Sequence, residues 1–513
     1  MFCEWLLAAG VGSTLLIYAG LHRSGPAKPE QVKNPMSHYD KTFVADILPF
    51  SVDLDPAVVR SAGNYIAVSQ LVRPLLKQNT DTQMEGDLAQ KWEISSDFKT
   101  YRFFLDPDAH FSNGEPITAE DLRATLERTR RIGHAVHFDF NKIQSLSAEG
   151  NVLTIQFGSA QPDFLTHAHH PEFSVLHKSD YERASGDLSL TVTSGAYSLL
   201  DRSQMSAHSL HLKKNPYFKG FAAEAPEDVL LQSKSDAEKA AGLAAGTIGF
   251  AMPSGVFSPA DVERLDTAKT VRLKPHIGFT YWVTLNPNRL RSKEQRHTIQ
   301  AVLNSQGLDF SSINDSWEPA NQLYLPLGPS RLKPEEADQI WSEIRTSAKD
   351  SALTHELRFL VSDHFVLKDQ LVKKLEQAGI RVQVTTYDGQ DKFAEYVVNG
   401  INEFDLIQTN NDFSSADLIE NMTVTLNPNR PLIVLGQERE SRQIAELFHA
   451  AQNSGSKDRQ EALGKIGEEL LTSGLVAPIA YYHLYFYQAP SVDASGWSTL
   501  YPEVSFWKLK VQR

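Results

Sequence analysis

Cysteine is all but absent: Cys3 stands alone in 513 residues. That excludes an internal disulfide framework and any cysteine-held zinc site. Cys3 also lies within the N-terminal apolar segment, a poor place for a catalytic thiol. Basic residues are in deficit, 50 Lys and Arg against 63 Asp and Glu, for a net charge of −13. A nucleic-acid partner requires the opposite balance, so none is expected; an anionic lipid surface is disfavoured on the same ground. The chain contains no phosphate loop, HExxH, GxSxG or CxxC, and no low-complexity tract or internal repeat. An enzyme of this length normally shows one such constellation. The expectation is therefore a non-enzyme with no cofactor.

What is present begins with WLLAAGVGSTLLIYAGL, residues 5–21, uncharged throughout. As a helix it would span roughly 25 Å, long for a signal-peptide core and short of a comfortable membrane span. Glu4 precedes it, while His22, Arg23 and Lys28 follow, the reverse of the usual signal-peptide charge order. Residues 1–23 are read as an export signal or a membrane anchor, with export favoured. Residues 24–38 hold three prolines and read as a linker.

The whole chain is 41% hydrophobic and 22% charged, ordinary for a globular protein, and its body is long enough for two or three domains. Apolar runs alternate with helical patterns, an α/β sequence. Strands are expected at 43–50, 100–105, 152–157, 404–409 and 476–487, among others, and helices at 61–76, 118–131 and 439–472, the last broken near Ser454-Gly455. LRFLVS (357–362), a helix over 364–378 and IRVQVTTY (380–387) form a βαβ unit with parallel strands. FSNGEPITAEDL (111–122) is a turn feeding a capped helix. Asn113-Gly114 is expected to supply positive φ, and Thr118 and Asp121 to form a capping box. Capping accounts for two of its three acids, leaving Glu115, which carries little catalytic weight.

Three groups have a possible chemical role and a structural one. His167, His169 and His170, with His134 and His137, are metal-ligand types without a paired carboxylate. Arg128, Arg130 and Arg131 end a helix, where the dipole favours cations, and read as a solvated end. YYHLYFYQAP (481–490) reads as core strand more than binding wall.

The order LVRPLL (71–76), DLAQKWEISSDFKTYRFFL (87–105) and FSNGEPITAEDL resembles the extracellular solute-binding protein family 5, the oligopeptide- and dipeptide-binding proteins of ABC transporters. The resemblance continues through TSGAYSLL (193–200), LHLKKNPYF (210–218), AAGTIGFA (244–251), the run 279–303, and FDLIQTNNDF (404–413). It covers the chain from about residue 41 onward. The resemblance implies a two-lobed α/β periplasmic-binding-protein-like fold (class II) with an extra domain, and a ligand cleft between the lobes. The implied division is lobe I at 39–60, 176–276 and 488–513, the extra domain at 61–175, and lobe II at 277–487. It further implies a monomer that closes on a peptide or similar small solute and serves an ABC permease in the inner membrane. Asp412 matches the family's aspartate that receives a peptide amine. By the same match, Thr409, Asn410 and Asn411 offer backbone groups, Phe50, Ser51 and Val52 face them, and Tyr281 is a further cleft residue. Departures gather at this site: Thr409 stands where the family often has Trp, Ala416 near a family Pro, and Ala196 in place of the Pro of its GPY motif. Two alternatives stay open, a membrane-anchored sensor on the same fold and a binder of metal or metal chelate.

Overall fold

The computed structural model describes residues 42–512 apart from 60, 79–83, 134, 136–137, 202–204, 207, 255–256, 274–277, 312, 314–315, 325–329, 349–354, 389–391, 394, 397–399, 412–417, 427–431, 455 and 495–503. The N-terminal segment and linker, His134, His137, Asp412, Ala416 and most of the helix expected at 391–399 therefore lie outside the described residues.

The chain opens with β1 (Thr42–Asp46) and a helix, Ala62–Ser69. That helix stops well short of the expected residue 76. Pro74 bars a helical Arg73, and the carbonyls of Gln70 and Leu71 accept from Tyr197 and Gly195 instead. A small ladder of β2 (Leu76–Gln78) and β3 (Met84–Gly86) leads to a four-stranded antiparallel sheet. Its strands are β4 (Ala89–Ile94), β5 (Thr100–Leu105), β6 (Ile143–Glu149) and β7 (Val152–Phe157), in the order β4-β5-β7-β6. The expectation missed β4 and β6. Both are edge strands whose inward residues, Trp92 on β4 and Leu146 and Ala148 on β6, are only partly buried, so the alternation that marks a half-buried strand is weak in both. The capped helix Ala119–Ile132 packs against this sheet, burying Leu122 and Leu126. Its capping box forms as expected, with Asp121 N–H donating to Thr118 Oγ1 and Thr118 N–H to Asp121 Oδ2. In the turn before it only Gly114 has positive φ; Asn113 instead accepts from the Glu115 N–H.

A seven-stranded sheet then assembles from distant parts of the chain. β1 lies near its centre, with β8 (Tyr197–Leu199), β9 (Ser209–Lys214), β10 (Asp228–Gln232), β11 (Phe250–Ala251) and β12 (Val271–Leu273). With β19 (Phe486–Gln488) added from near the C-terminal end, the order is β12-β19-β11-β1-β10-β9-β8, with β1 parallel to both β10 and β11. The second large sheet holds β13 (Phe279–Leu285), β14 (Trp317–Pro319), β15 (Leu357–Ser362), β16 (Val382–Tyr387), β17 (Leu406–Asn411) and β18 (Val476–Tyr482). Its order is β14-β18-β13-β17-β15-β16, and β15 and β16 are parallel as the βαβ reading required. The single strand expected over 476–487 is two strands in different sheets, β18 and β19 (Phe486–Gln488). A last pair, β20 (Val492–Asp493) and β21 (Lys510–Val511), lies at the C-terminal end. The expected 439–472 helix is Arg439–Gln452 followed by Ser456–Thr472.

The expectation for Arg128 is overturned. Its guanidinium is buried, not solvated, and makes a bidentate pair with Asp55, Nη1–Oδ1 2.9 Å and Nη2–Oδ2 2.6 Å. Nε donates to the Arg183 carbonyl and Nη2 also to that of Ala184. A helix end facing a neighbouring segment is not a helix end in water, and sequence spacing alone does not distinguish the two. Breaking a buried pair strands one charge in a low-dielectric site. Arg128→Met is expected to cost about 3–5 kcal/mol, read as a lowered urea midpoint. The double variant Arg128→Met with Asp55→Leu should recover much of that loss, and a loss below about 1 kcal/mol in the single variant would show that the pair is dispensable.

Candidate functional site

The chain passes from one large sheet to the other between β12 and β13 and again between β18 and β19. The two crossings are tied together, since the Gly278 N–H donates to the Tyr482 carbonyl at 3.2 Å. YYHLYFYQAP is thus core, as read, and also a crossing. Residues 481–487 are all buried, and His483 is fixed by its N–H on the Ser316 carbonyl and its ring Nε2 2.8 Å from Glu318. Neighbouring connections between two sheets are where the halves of such a molecule can flex, and the crevice beside them is the candidate ligand site.

On the first sheet that crevice is bounded by the carboxyl ends of the parallel strands β1, β10 and β11, where open α/β sheets place ligands. Asp46 ends β1 with no exposed surface. It accepts from Gln232 Nε2 and the Lys234 N–H, each at 3.0 Å, and lies 3.8 Å from Lys239 Nζ. Lys239 is equally buried, donates to the Met252 carbonyl at 2.8 Å, and lies 3.5 Å from Asp236. Burial pushes the Asp46 carboxyl up to about 6 against the pull of Lys239 and its hydrogen bonds. Burial likewise lowers Lys239, opposed by Asp236 and Asp46. Desolvation therefore outweighs the mutual attraction in both partners.

Beyond β1 the lip runs through Phe50, Ser51 and Val52. Phe50 is core, whereas Ser51 is exposed and Val52 is 48% exposed, a large apolar side chain left in water. Asn64 holds this lip: its Oδ1 accepts the Ser51 N–H at 3.0 Å, and its Nδ2 donates to Ser51 Oγ and the Asp53 carbonyl. Gly63 is required here, because a Cβ would meet the Pro49 carbonyl oxygen at 2.0 Å. Asp55 then ties the lip to Arg128.

On the second sheet, β13 and β17 are antiparallel, with Tyr281 opposite Asn410 and Trp282 opposite Thr409. The Asn410 side chain hydrogen-bonds the Tyr281 hydroxyl, and burial pushes that phenol up to about 12 against this bond. A bulge in the pairing with β18 falls between Tyr281 and Trp282, a device that re-aims a side chain. The Tyr281 ring stacks on Phe365 (centroids 5.4 Å, 7°) and touches Trp317 at 4.8 Å, and Trp317 meets Tyr482 at 4.9 Å. Burial raises the Tyr482 phenol, and the charges of Tyr281 and Asp236 add to that. Thr409 is buried, and Asn411 spends its amide on the Asn421 carbonyl and Thr425 Oγ1. Among the described residues the parallel ladder of β17 to β15 ends at Ile407 and the Gln408 carbonyl accepts from the Tyr387 hydroxyl at 3.4 Å, so what β17 presents beyond them is the backbone of Thr409, Asn410 and Asn411.

The structure thus gathers Thr409, Asn410, Asn411 and Tyr281 on adjacent strands and places Phe50, Ser51 and Val52 on the lip of the other sheet. Asp46, Lys239, Trp317 and Phe365 were missed. Only Asp46 left a signal, a lone acid ending the apolar run TFVAD. His167 and His170 are buried and His169 half-buried, with ring centroids 4.1 Å apart for His169 and His170. Among the described residues no three His, Cys, Asp or Glu side chains are grouped to hold a metal ion. A separate recess of about 610 Å³ lies where residues 72–78, 85–87, 106–109 and 504–508 meet, lined by neither large crossing. Much of its wall charge is paired internally, Arg73 with Asp87 and Lys219 with Asp108, each at 2.9 Å.

The family described as bacterial extracellular solute-binding proteins, family 5 Middle, matches residues 83–430. A curated relative, the probable D,D-dipeptide-binding periplasmic protein DdpA of Escherichia coli (strain K12), is 28% identical over 178 residues, 33% of this chain and 34% of its own. The chain spans between a third and two fifths of the length of the first curated relatives it matches. Solved structures align over nearly their whole length. NikA from Brucella suis in complex with Fe(III)-EDTA has TM-score 0.76 at 18% identity, covering 91% of this chain and 99% of that one. DppA from Helicobacter pylori in complex with the peptide STSA has TM-score 0.63 at 17% identity, covering 92% and 98%. The fold shared with these proteins is a two-lobed periplasmic-binding-protein fold.

The Asp46 shift makes a pH prediction. The folded state holds this proton up to about 6, the unfolded chain only to about 3.8. Below the lower value the contribution to stability is complete, and it is lost as pH rises through the upper one. Asp46→Asn cannot titrate. Its melting temperature relative to wild type is expected to rise between pH 4 and pH 7, by the equivalent of about 3 kcal/mol at most. A difference that stays flat over that range would remove Asp46 as the titrating group.

Proposed function

The chain belongs to the bacterial extracellular solute-binding proteins, family 5, and from that premise we propose that it binds a peptide or similar small solute by hinge closure and delivers it to an ABC permease. The observation that carries this reading is the backbone edge of β17 left beyond Gln408, beside the Tyr281–Trp317–Phe365 shelf. An extended peptide adds itself to such an edge through main-chain hydrogen bonds, with specificity left to pockets for its side chains. The edge at Thr409, Asn410 and Asn411 suits a ligand recognised by its backbone, and the exposed Val52 on the opposite lip supplies apolar contact once the lobes close. Asp412 is assigned to the ligand's ammonium group by its match to the family motif. The lobe and extra-domain boundaries inferred from sequence are part of the same proposal. So are export of a monomer to the extracytoplasmic side and a role for residues 5–21 as signal or anchor. No helix among the described residues is long and apolar enough to cross a membrane.

One observation favours a second ligand class. The similar structure from Brucella suis holds Fe(III)-EDTA, and a metal chelate brings its own donors. Such a ligand would need no three-residue metal set from the protein.

Native mass spectrometry of the protein purified from a bacterial host, followed by denaturing identification of what is released, tests the two readings. A set of small peptides is expected, together with weakening of their binding by roughly 2–5 kcal/mol in Asp412→Ala, the scale for stranding a buried charge. A released metal chelate would put the second reading first. A protein that emerges empty and also ignores a mixed peptide library would end the transport reading.

A further inference from the structure

The helix Ser456–Thr472 belongs to the second large sheet's half of the molecule, packing on β18 and on Arg439–Gln452. Arg459 projects from its first turn and is nearly fully buried, although most of that turn is exposed. It is buried against the four-stranded domain. Arg459 Nη2 donates to the Pro162 carbonyl at 3.2 Å, just ahead of the short helix Phe164–His167, whose N-cap is Asp163. Burial raises the Asp163 carboxyl, but His167, 3.7 Å away, and the charge of Arg459 together draw it below the ordinary carboxylate range. Burial raises the Tyr101 phenol, and Asp163 adds to that while Arg459 opposes it. The Tyr101 hydroxyl in turn donates to the Gln161 carbonyl. The guanidinium thus donates to a carbonyl of this domain within electrostatic reach of the Asp163 carboxylate and the Tyr101 phenol.

The four-stranded domain is fixed to the other half by Arg128 and Asp55, at the lip of the crevice. It therefore contacts both halves, rigidly on one side and through Arg459 on the other. We infer that Arg459 is a positioning residue for closure, a latch by which the extra domain grips the moving lobe and stabilises the closed arrangement. Opening would separate a buried guanidinium from its acceptors, and bonds to a charged group contribute more than neutral ones. Replacement of Arg459 should therefore favour the open arrangement without touching the ligand crevice. The inference rests on the two lobes moving about the hinge, as the solute-binding reading requires.

The test needs no ligand. Nitroxide labels at Ser96→Cys in the four-stranded domain and Glu446→Cys in the moving lobe, both exposed positions, in a Cys3→Ser background, report the interlobe distance by double electron–electron resonance. The expected result is that Arg459→Ala shifts the population roughly tenfold toward the longer distance, the scale of one charge-assisted hydrogen bond. Arg459→Lys, which keeps a charged donor, should restore much of the short-distance population. Asp163→Asn is the second variant should Arg459→Ala fail to fold, with a smaller shift of the same sign. A residue that merely stabilises the fold would change the melting temperature and leave the distances alone. Superimposable distributions for wild type, Arg459→Ala and Asp163→Asn would overturn the latch, while the mass-spectrometric test of ligand binding would stand unaffected.

Discussion

The bond from the Gly278 N–H to the Tyr482 carbonyl joins two strands where each leaves one sheet for the other. Relative motion of the halves must pass through these crossings, and their surroundings set what kind of motion is possible. β18 is buried along its whole length, so it resists bending, and His483 just beyond it is held by Ser316 and Glu318. Any flexure between the halves is thereby confined to a short stretch. The crevice walls are preformed for the same reason: one by strand ends and a braced lip, the other by a stacked aromatic shelf.

Buried charge recurs at the junctions between these bodies. Arg128 and Asp55 join the four-stranded domain to the lip, Asp46, Lys239 and Asp236 line the base of the crevice, and Arg459 reaches across to Pro162. A buried ion pair is a weak source of net stability, because desolvation offsets most of the attraction. Its geometry is demanding, however, and a bidentate guanidinium–carboxylate contact tolerates little displacement. What these groups fix is position. Apolar surfaces would allow the lip and the domain to slide, whereas paired charges do not.

The fold was largely legible in the sequence, through two different signals. The βαβ unit showed itself by physics alone, with Leu371 and Leu375 buried at helical spacing between two parallel strands. The architecture as a whole came from resemblance, since no periodicity says that β1 lies between β10 and β11. Edge strands such as β4 escaped because an inward face that is only partly buried leaves little alternation to read. The site was only partly legible. Tyr281 and Asn410 do meet, but Trp317, Phe365 and Lys239 reach the crevice from segments tens or hundreds of residues apart, and their roles exist only after folding. Arg128 shows the same limit from the other side. At the end of an amphipathic helix it carries every mark of a solvated cation, and its burial depends on a neighbour 73 residues away.

The position of β1 in its sheet also bears on how the chain comes to be folded at all. β1 is the first described strand, yet its neighbours β10 and β11 follow about 180 and 200 residues later, and β19 about 440 later. At roughly 5–20 residues per second of synthesis, β1 waits on the order of 10–40 s for its first partner. During that interval TFVAD is an unpaired strand rich in apolar side chains, the kind of segment that pairs with other chains. The four-stranded domain is under no such delay, because its strands all fall between residues 89 and 157. Its strand pairings are local and can form early, leaving Arg128 in place to capture Asp55. A growing chain of this protein is thus a locally paired module with an upstream strand still waiting for its partners.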